Sequence, residues 1–236
     1  PISGGRHKVI GSKELNIPPQ TSTISSHLPK AVGTAFSIDR AKDLEIKERN
    51  LEKNSIVICS FGDASANHAS ALSAFNTASW ITNLGGHVPI IFLCEDNGTG
   101  ISVPTQDGWI KDNFSNKTGI QYIETDGLHL VDLVKKAKEA EKICRKQRCP
   151  IFLHMKTVRL MGHAGSDIEV GYKSLSDIEK TEFNDPLLHS ARIILEKECL
   201  TSSEILSLYE KTRKQISFVF DSAVLRPYLL KSEDVM

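Results

Sequence analysis

Two short, strand-forming apolar runs, residues 55–59 and 88–93, flank a stretch whose apolar residues recur at helical spacing. Within residues 69–84 these are Ala71, Leu72, Phe75, Ala78 and Ile81, and Gly85-Gly86 behind them supplies a left-handed helix end. Two strands joined through such a helix run parallel, because the crossover carries the chain back to its starting edge. The pattern repeats further on. Residues 121–124 read as a strand, Asp126 as the cap of a helix over 128–147, and residues 150–158 as another apolar strand. Alternation of this kind predicts an α/β fold, a doubly wound three-layer sandwich around a mostly parallel sheet. Ligands gather at the carboxyl ends of strands in such sheets.

The remaining elements are read from the same signals. Residues 1–26 are polar, rich in Gly, Pro, Ser and Thr, and without period, so an irregular arm is expected there. Residues 31–41 read as a first helix. Asp185-Pro186 opens a later one, and Thr201-Ser202-Ser203-Glu204 is a capping box for the last. The 236 residues suffice for one large domain, expected over 27–220, with 221–236 as a connector or tail. Lys+Arg and Asp+Glu stand at 29 each, which gives no reason to expect nucleic acid or an anionic membrane as partner. The five cysteines show no metal-ligand spacing and read as free thiols in a reducing compartment, expected to be a bacterial cytoplasm, with the mitochondrial matrix left open.

Chemistry concentrates just past two strands. Ser60-Phe61-Gly62-Asp63-Ala64-Ser65-Ala66-Asn67-His68 follows the first, and Cys94-Glu95-Asp96-Asn97-Gly98-Thr99-Gly100 follows the second. A divalent cation needs converging oxygen ligands, and a diphosphate needs that cation plus exposed backbone N–H groups. Asp63 offers the carboxylate and Ala64 and Ser65 the loop amides; an aspartate that merely caps the next helix would use the same spacing.

The pair resembles the motif of thiamine diphosphate enzymes, a Gly-Asp-Gly opening closed further along by Asn-Asn. It is most similar to the alpha chain of the first component of 2-oxo acid dehydrogenase complexes. The likeness extends to Gly5-Arg6 through Gly11, residues 27–33, Phe75-Asn76-Thr77-Ala78, and Gly100 through Thr105. It also takes in Arg159 through Asp167 and Gly171-Tyr172-Lys173-Ser174. It implies a magnesium site of Asp63, the Asn97 side chain and the Thr99 carbonyl. Cofactor contacts are implied at Leu28, Gly62, Asp63, Ala64, Ser65, Asn97, Thr99, Ile101, Arg159 and His163, and His163 matches the family's catalytic loop histidine. It further implies a beta-type partner carrying the glutamate that activates the pyrimidine, a dimer or heterotetramer, and a lipoyl-bearing acyltransferase component. The substrate expected is a branched-chain 2-oxo acid, then pyruvate. The chain is expected to be a diphosphate-binding domain of a longer protein, similar to bacterial forms in which alpha and beta chains are fused.

Departures from the pattern bear on the reading. Ala64 stands where glycine is usual. Glu95 and Asp96 add two negative charges, each repelling a diphosphate by ~1 kcal/mol or more at an effective dielectric near 20. Arg159 and His163 are the expected compensators. Ala164 follows His163 where animal members carry a phosphorylated serine. Two rivals stay open: a degenerate, non-catalytic cofactor-binding or assembly domain, and a magnesium-dependent phosphohydrolase, which would want an Asp-x-Asp pair after the strand.

Overall fold

The structure, a computed structural model, describes residues 10–20 and 22–227. It opens with β1 (Ile10–Ser12), β2 (Ile17–Gln20), α1 (His27–Asp43), β3 (Val57–Gly62) and α2 (Ala69–Asn83). Next come β4 (Ile90–Asp96), β5 (Thr99–Gly100), β6 (Val103–Pro104), α3 (Trp109–Phe114), β7 (Gln121–Asp126) and α4 (Leu130–Gln147). The chain continues through β8 (Ile151–Lys156), α5 (Leu175–Glu182), α6 (Pro186–Glu196) and α7 (Ser202–Val224). Two compact units result, Thr23–His189 and the described parts of Pro1–Ser22 with Ser190–Met236.

The first unit is built on a four-stranded sheet in the order β3-β4-β8-β7, parallel throughout. Its register sets Gly62 beside Glu95 and Asp96 beside Lys156, so the strands end along one edge. One face packs against α1, α2 and α3. Phe61, Phe75, Phe92, Phe114 and Phe152 meet there, with Phe75 edge-on to Phe92 and Phe114 at 4.9 Å between ring centres. Ala71, Ala74 and Ala78 bring α2 close enough to seat Phe75 at 0% exposure; truncating such a ring costs about 3–5 kcal/mol. The opposite face packs Ile91, Ile123, Ile151 and Leu153 against Ala140 and Cys144 of α4. Helices on both faces make the three-layer, doubly wound α/β arrangement that the sequence predicts. Burial pushes the Cys59 and Cys144 thiols up to about 12, which leaves them inert.

Local signals fare unevenly. Gly85 takes φ +81°, and the Gly86 N–H reaches the Ile81 carbonyl at 2.9 Å, closing α2 as expected. The capping box at Thr201 and Glu204 is present. Asp126 does not cap α4. Its carboxylate accepts the Leu128 N–H at 2.9 Å in a local turn, and the helix starts two residues later. Residues 10–20 are not irregular: β1 and β2 pair antiparallel, and Pro18-Pro19 inside β2 hides the strand from a periodicity reading. The first helix is longer than expected, with Pro29 in its opening turn, where proline is tolerated. The expected domain of 27–220 is cut at about residue 190, because among the described residues none beyond Leu153 joins either core cluster and α7 buries none of its own. Of the connector expected over 221–236, residues 221–224 continue α7, and those from Tyr228 onward, like the Gly5-Arg6 pair, lie outside the described residues. Among the described residues no helix is long and apolar enough to cross a membrane.

Candidate functional site

β3 runs out at Gly62, and Asp63 opens the short 3-10 turn Asp63–Asn67 that leads into α2. Its side chain is only 2% exposed. Thr105 donates its hydroxyl to Asp63 Oδ2 at 2.5 Å. Burial pushes the Asp63 carboxyl upward and the Asp96 charge adds to this, while the hydrogen bond from Thr105 pulls it down. A buried carboxylate held by a neutral hydroxyl is the arrangement that a metal ion would relieve.

Asn97 sits in the turn after β4, the neighbour of β3. Its Oδ1 accepts the Thr99 N–H at 3.0 Å, and Asp96 Oδ1 accepts the Gly98 N–H at 3.1 Å. Gly98 takes φ +72°, which lets the chain double back into the β5–β6 hairpin. The hairpin returns Thr105 to Asp63, fixed by the Thr105 N–H on the Gly98 carbonyl at 3.0 Å. Opposite Thr99 stands Pro104, which has no N–H to give to the Thr99 carbonyl. Ala64 packs on this hairpin: a Cβ at Gly100 would lie 2.6 Å from the Ala64 Cβ. The extra methyl at position 64 is therefore accommodated by glycine at 100. Ile101, at the exposed hairpin tip, takes φ +57°, an uncommon conformation for a β-branched residue.

Two supports were not legible in advance. Ser25, buried and at φ +61°, donates its hydroxyl to the Ser65 carbonyl at 2.9 Å, and His27 Nε2 meets the Ser60 carbonyl at 2.8 Å. They pin the start of α1 and the segment just before it to β3 and the Asp63 turn. Thr105 is the third missed residue; only the short hairpin between Gly98 and Thr105 hinted that it returns. Leu28 is placed differently from expectation. It is 0% exposed within the main core cluster, so its side chain offers no surface to a ligand.

The Arg159–Ser174 loop is tied within itself. Arg159 Nη2 donates to the Tyr172 hydroxyl at 3.0 Å, Tyr172 donates to Asp167 Oδ2 at 2.8 Å, and the His163 N–H reaches that same oxygen at 2.7 Å. The His163 N–H and then the Tyr172 hydroxyl hold the Asp167 carboxyl below the usual range. His163 is exposed, and its ring has no hydrogen-bond partner among the described residues. Arg159 Nε is buried and has no partner among the described residues. Arg159 and His163 do not neutralise Asp96. That carboxylate binds His154 Nε2 at 2.7 Å instead, a partner hidden in the apolar run of β8. So Asp63, Ala64, Asn97, Thr99 and Thr105 come together through direct bonds and contacts, and Arg159 and His163 through Tyr172 and Asp167. Among the described residues no hydrogen bond or ion pair joins the two groups.

These donors suit a magnesium diphosphate. Magnesium takes one or two protein carboxylates and completes its octahedron with phosphate oxygens and waters. One carboxylate, one amide and one carbonyl match that habit, and no cluster of three His, Cys, Asp or Glu is needed or found among the described residues. Arg159 Nε, a donor without an acceptor among the described residues, is suited to a phosphate oxygen.

A family model described as dehydrogenase E1 component matches residues 1–229. The chain belongs to the dehydrogenase E1 component family. It is similar to the mitochondrial 2-oxoisovalerate dehydrogenase subunit alpha of Caenorhabditis elegans, 29% identical over 221 residues, covering 92% of this chain and 48% of that one. The human protein of the same name is 26% identical over 92% of this chain and 46% of its own. The mitochondrial pyruvate dehydrogenase E1 component subunit alpha of Dictyostelium discoideum is 24% identical over 86% of this chain and 51% of its own. The chain thus spans about half the length of the curated relatives it matches. Their names overturn the expectation of a bacterial cytoplasmic protein. Free buried thiols indicate a reducing compartment, and the mitochondrial matrix meets that condition equally.

Proposed function

We propose that this chain is the alpha-type, diphosphate-binding part of a 2-oxo acid dehydrogenase first component, acting on a branched-chain 2-oxo acid. The observation that carries the reading is Asp63: a carboxylate 2% exposed, held by Thr105 at the end of a parallel strand, in a chain of the E1 family. Asp63, the Asn97 amide and the Thr99 carbonyl would hold magnesium. The backbone at Gly62, Ala64 and Ser65 would receive the phosphates; a Cβ added at Gly62 would meet the Glu95 carbonyl at 4.0 Å, an ordinary contact. Arg159 would add charge, and His163, exposed on its loop, would move a proton near the reacting carbon. The hairpin tip at Ile101 would support the cofactor. Thiamine diphosphate, when bound, supplies the electron sink for decarboxylation.

The pyrimidine-activating carboxylate is assigned to a beta-type partner, and acyl transfer to a lipoyl-bearing component; dimer or heterotetramer assembly follows. Leu206, Tyr209, Phe218 and Phe220 of α7 are each more than half exposed, which supports contact with another chain. The relatives' names favour the mitochondrial matrix and 2-oxoisovalerate. The non-catalytic reading rested on Ala64, Glu95 and Asp96. Gly100 and His154 accommodate the first and last of these, which weakens it. The phosphohydrolase reading has no Asp-x-Asp pair after β3 to rest on. Turnover of 2-oxoisovalerate with an artificial electron acceptor tests the proposal. The chain alone should give none, and a beta-type partner should restore it; turnover by the chain alone would overturn the assignment of half a site.

A further inference from the structure

The departure at Asp96 leads inward along a buried hydrogen-bonded chain. Asp96 Oδ2 meets His154 Nε2 at 2.7 Å, and His154 Nδ1 meets the Tyr122 hydroxyl at 2.6 Å. His154 is 2% exposed in the middle of the sheet, flanked by β4 and β7. Burial raises the Tyr122 hydroxyl's pKa, so it stays protonated and able to donate. Tyr122 O–H to Nδ1 and Nε2–H to the carboxylate then satisfy both ring nitrogens in one tautomer. The other Asp96 oxygen accepts the Gly98 N–H, and the side-chain oxygen of the next residue, Asn97, accepts the Thr99 N–H. The sheet interior therefore reaches the turn that presents Asn97 and Thr99 through a single imidazole.

We propose that His154 is a positioning residue for the metal-binding turn: anchored by Tyr122, it directs the Asp96 carboxylate onto the Gly98 N–H and so sets the turn Asp96-Asn97-Gly98-Thr99. The inference rests on the magnesium-diphosphate reading of that turn. It explains how an aspartate is tolerated there, since the same carboxylate without His154 would be a part-buried charge lacking its strongest donor.

Backbone amide exchange by NMR on the unliganded chain, with calorimetric titration of thiamine diphosphate and magnesium, tests it. His154→Leu should speed exchange at Gly98 and Thr99 and weaken cofactor binding about tenfold to a hundredfold. His154→Gln, which keeps a donor and an acceptor, should lie within about threefold of the parent, guarding against a variant that merely fails to fold. The deciding arm is Asp96→Asn in the His154→Leu background. Removing the orphaned charge should restore binding to within about threefold of the parent, whereas a loss from core packing alone would persist. Unchanged exchange in His154→Leu, or no rescue by Asp96→Asn, overturns the positioning role. A parent chain that takes up no thiamine diphosphate with magnesium, yet shows the exchange pattern, would overturn the functional reading and this inference with it.

Discussion

The turn at Asp63 and the loop from Arg159 to Ser174 carry the two halves of the proposed site, and they are built in opposite ways. Around Asp63 the ties are long-range: Thr105 is 42 residues away, and Ser25 is 40 residues from the Ser65 carbonyl it bonds. In the loop every tie is local, joining His163 and Tyr172 to Asp167, Arg159 to Tyr172, and Lys173 to Glu169. A group held by distant segments exists only once the sheet has formed, and it opens only with the sheet. A loop held by its own side chains can rearrange without disturbing the core. The Asp63 half is thus preorganised, while the half bearing His163 is free to adjust.

If the strand-end group is as tightly fitted as Ala64 and Gly100 indicate, Gly100→Ala should do the most damage. The added methyl meets the Ala64 Cβ at 2.6 Å, and overpacking of this kind costs about 1–3 kcal/mol. Ala64→Gly in the same chain should recover most of the loss in melting temperature. A double variant no better than the single one would show that the two sites are not in conflict.

A second test uses the buried charge. Because the folded state raises the Asp63 pKa, its contribution to stability is full below the ordinary carboxylate value of 3.8. That contribution is lost as pH rises through the raised folded value. Asp63→Asn removes the charge but keeps an acceptor for Thr105. The unliganded variant should melt a few degrees above the parent at pH 7, the gap closing toward pH 4. Equal melting at pH 7 would mean that the carboxylate is better solvated than its burial implies.

The smallest global effect belongs to the loop. Tyr172→Phe cuts the links from Arg159 and to Asp167, yet should leave overall stability within about 0.5 kcal/mol. Limited proteolysis within residues 159–173 should accelerate several-fold. A large drop in melting temperature would mean that the loop is part of the core after all, and the contrast drawn here would fail.

Much of this was legible in the sequence, and what was hidden follows a rule. The βαβ unit, the Gly85 helix end and the Thr201 capping box depend on neighbours in the chain, and their residues announce them. Asp63 and Asn97 were legible because each directly follows an apolar strand. Thr105, Ser25 and His154 were not, since their roles exist only where distant segments meet; His154 in particular reads as one polar residue in the buried run Ile151-Phe152-Leu153-His154. Leu28 misled for the same reason: an apolar side chain at a helix start looks alike whether it lines a ligand or fills a core. Pro18-Pro19 concealed β2 because proline breaks the alternation by which a strand is usually seen.

The central claim is that Asp63, with Asn97 and Thr99, holds a magnesium diphosphate at the ends of β3 and β4. Titration calorimetry of the chain with thiamine diphosphate, with and without magnesium, on the parent and on Asp63→Ala, addresses it most directly. The account predicts magnesium-dependent binding by the parent and none by Asp63→Ala, with both chains folded by circular dichroism. Equal affinity in parent and variant, or binding indifferent to magnesium, would contradict it.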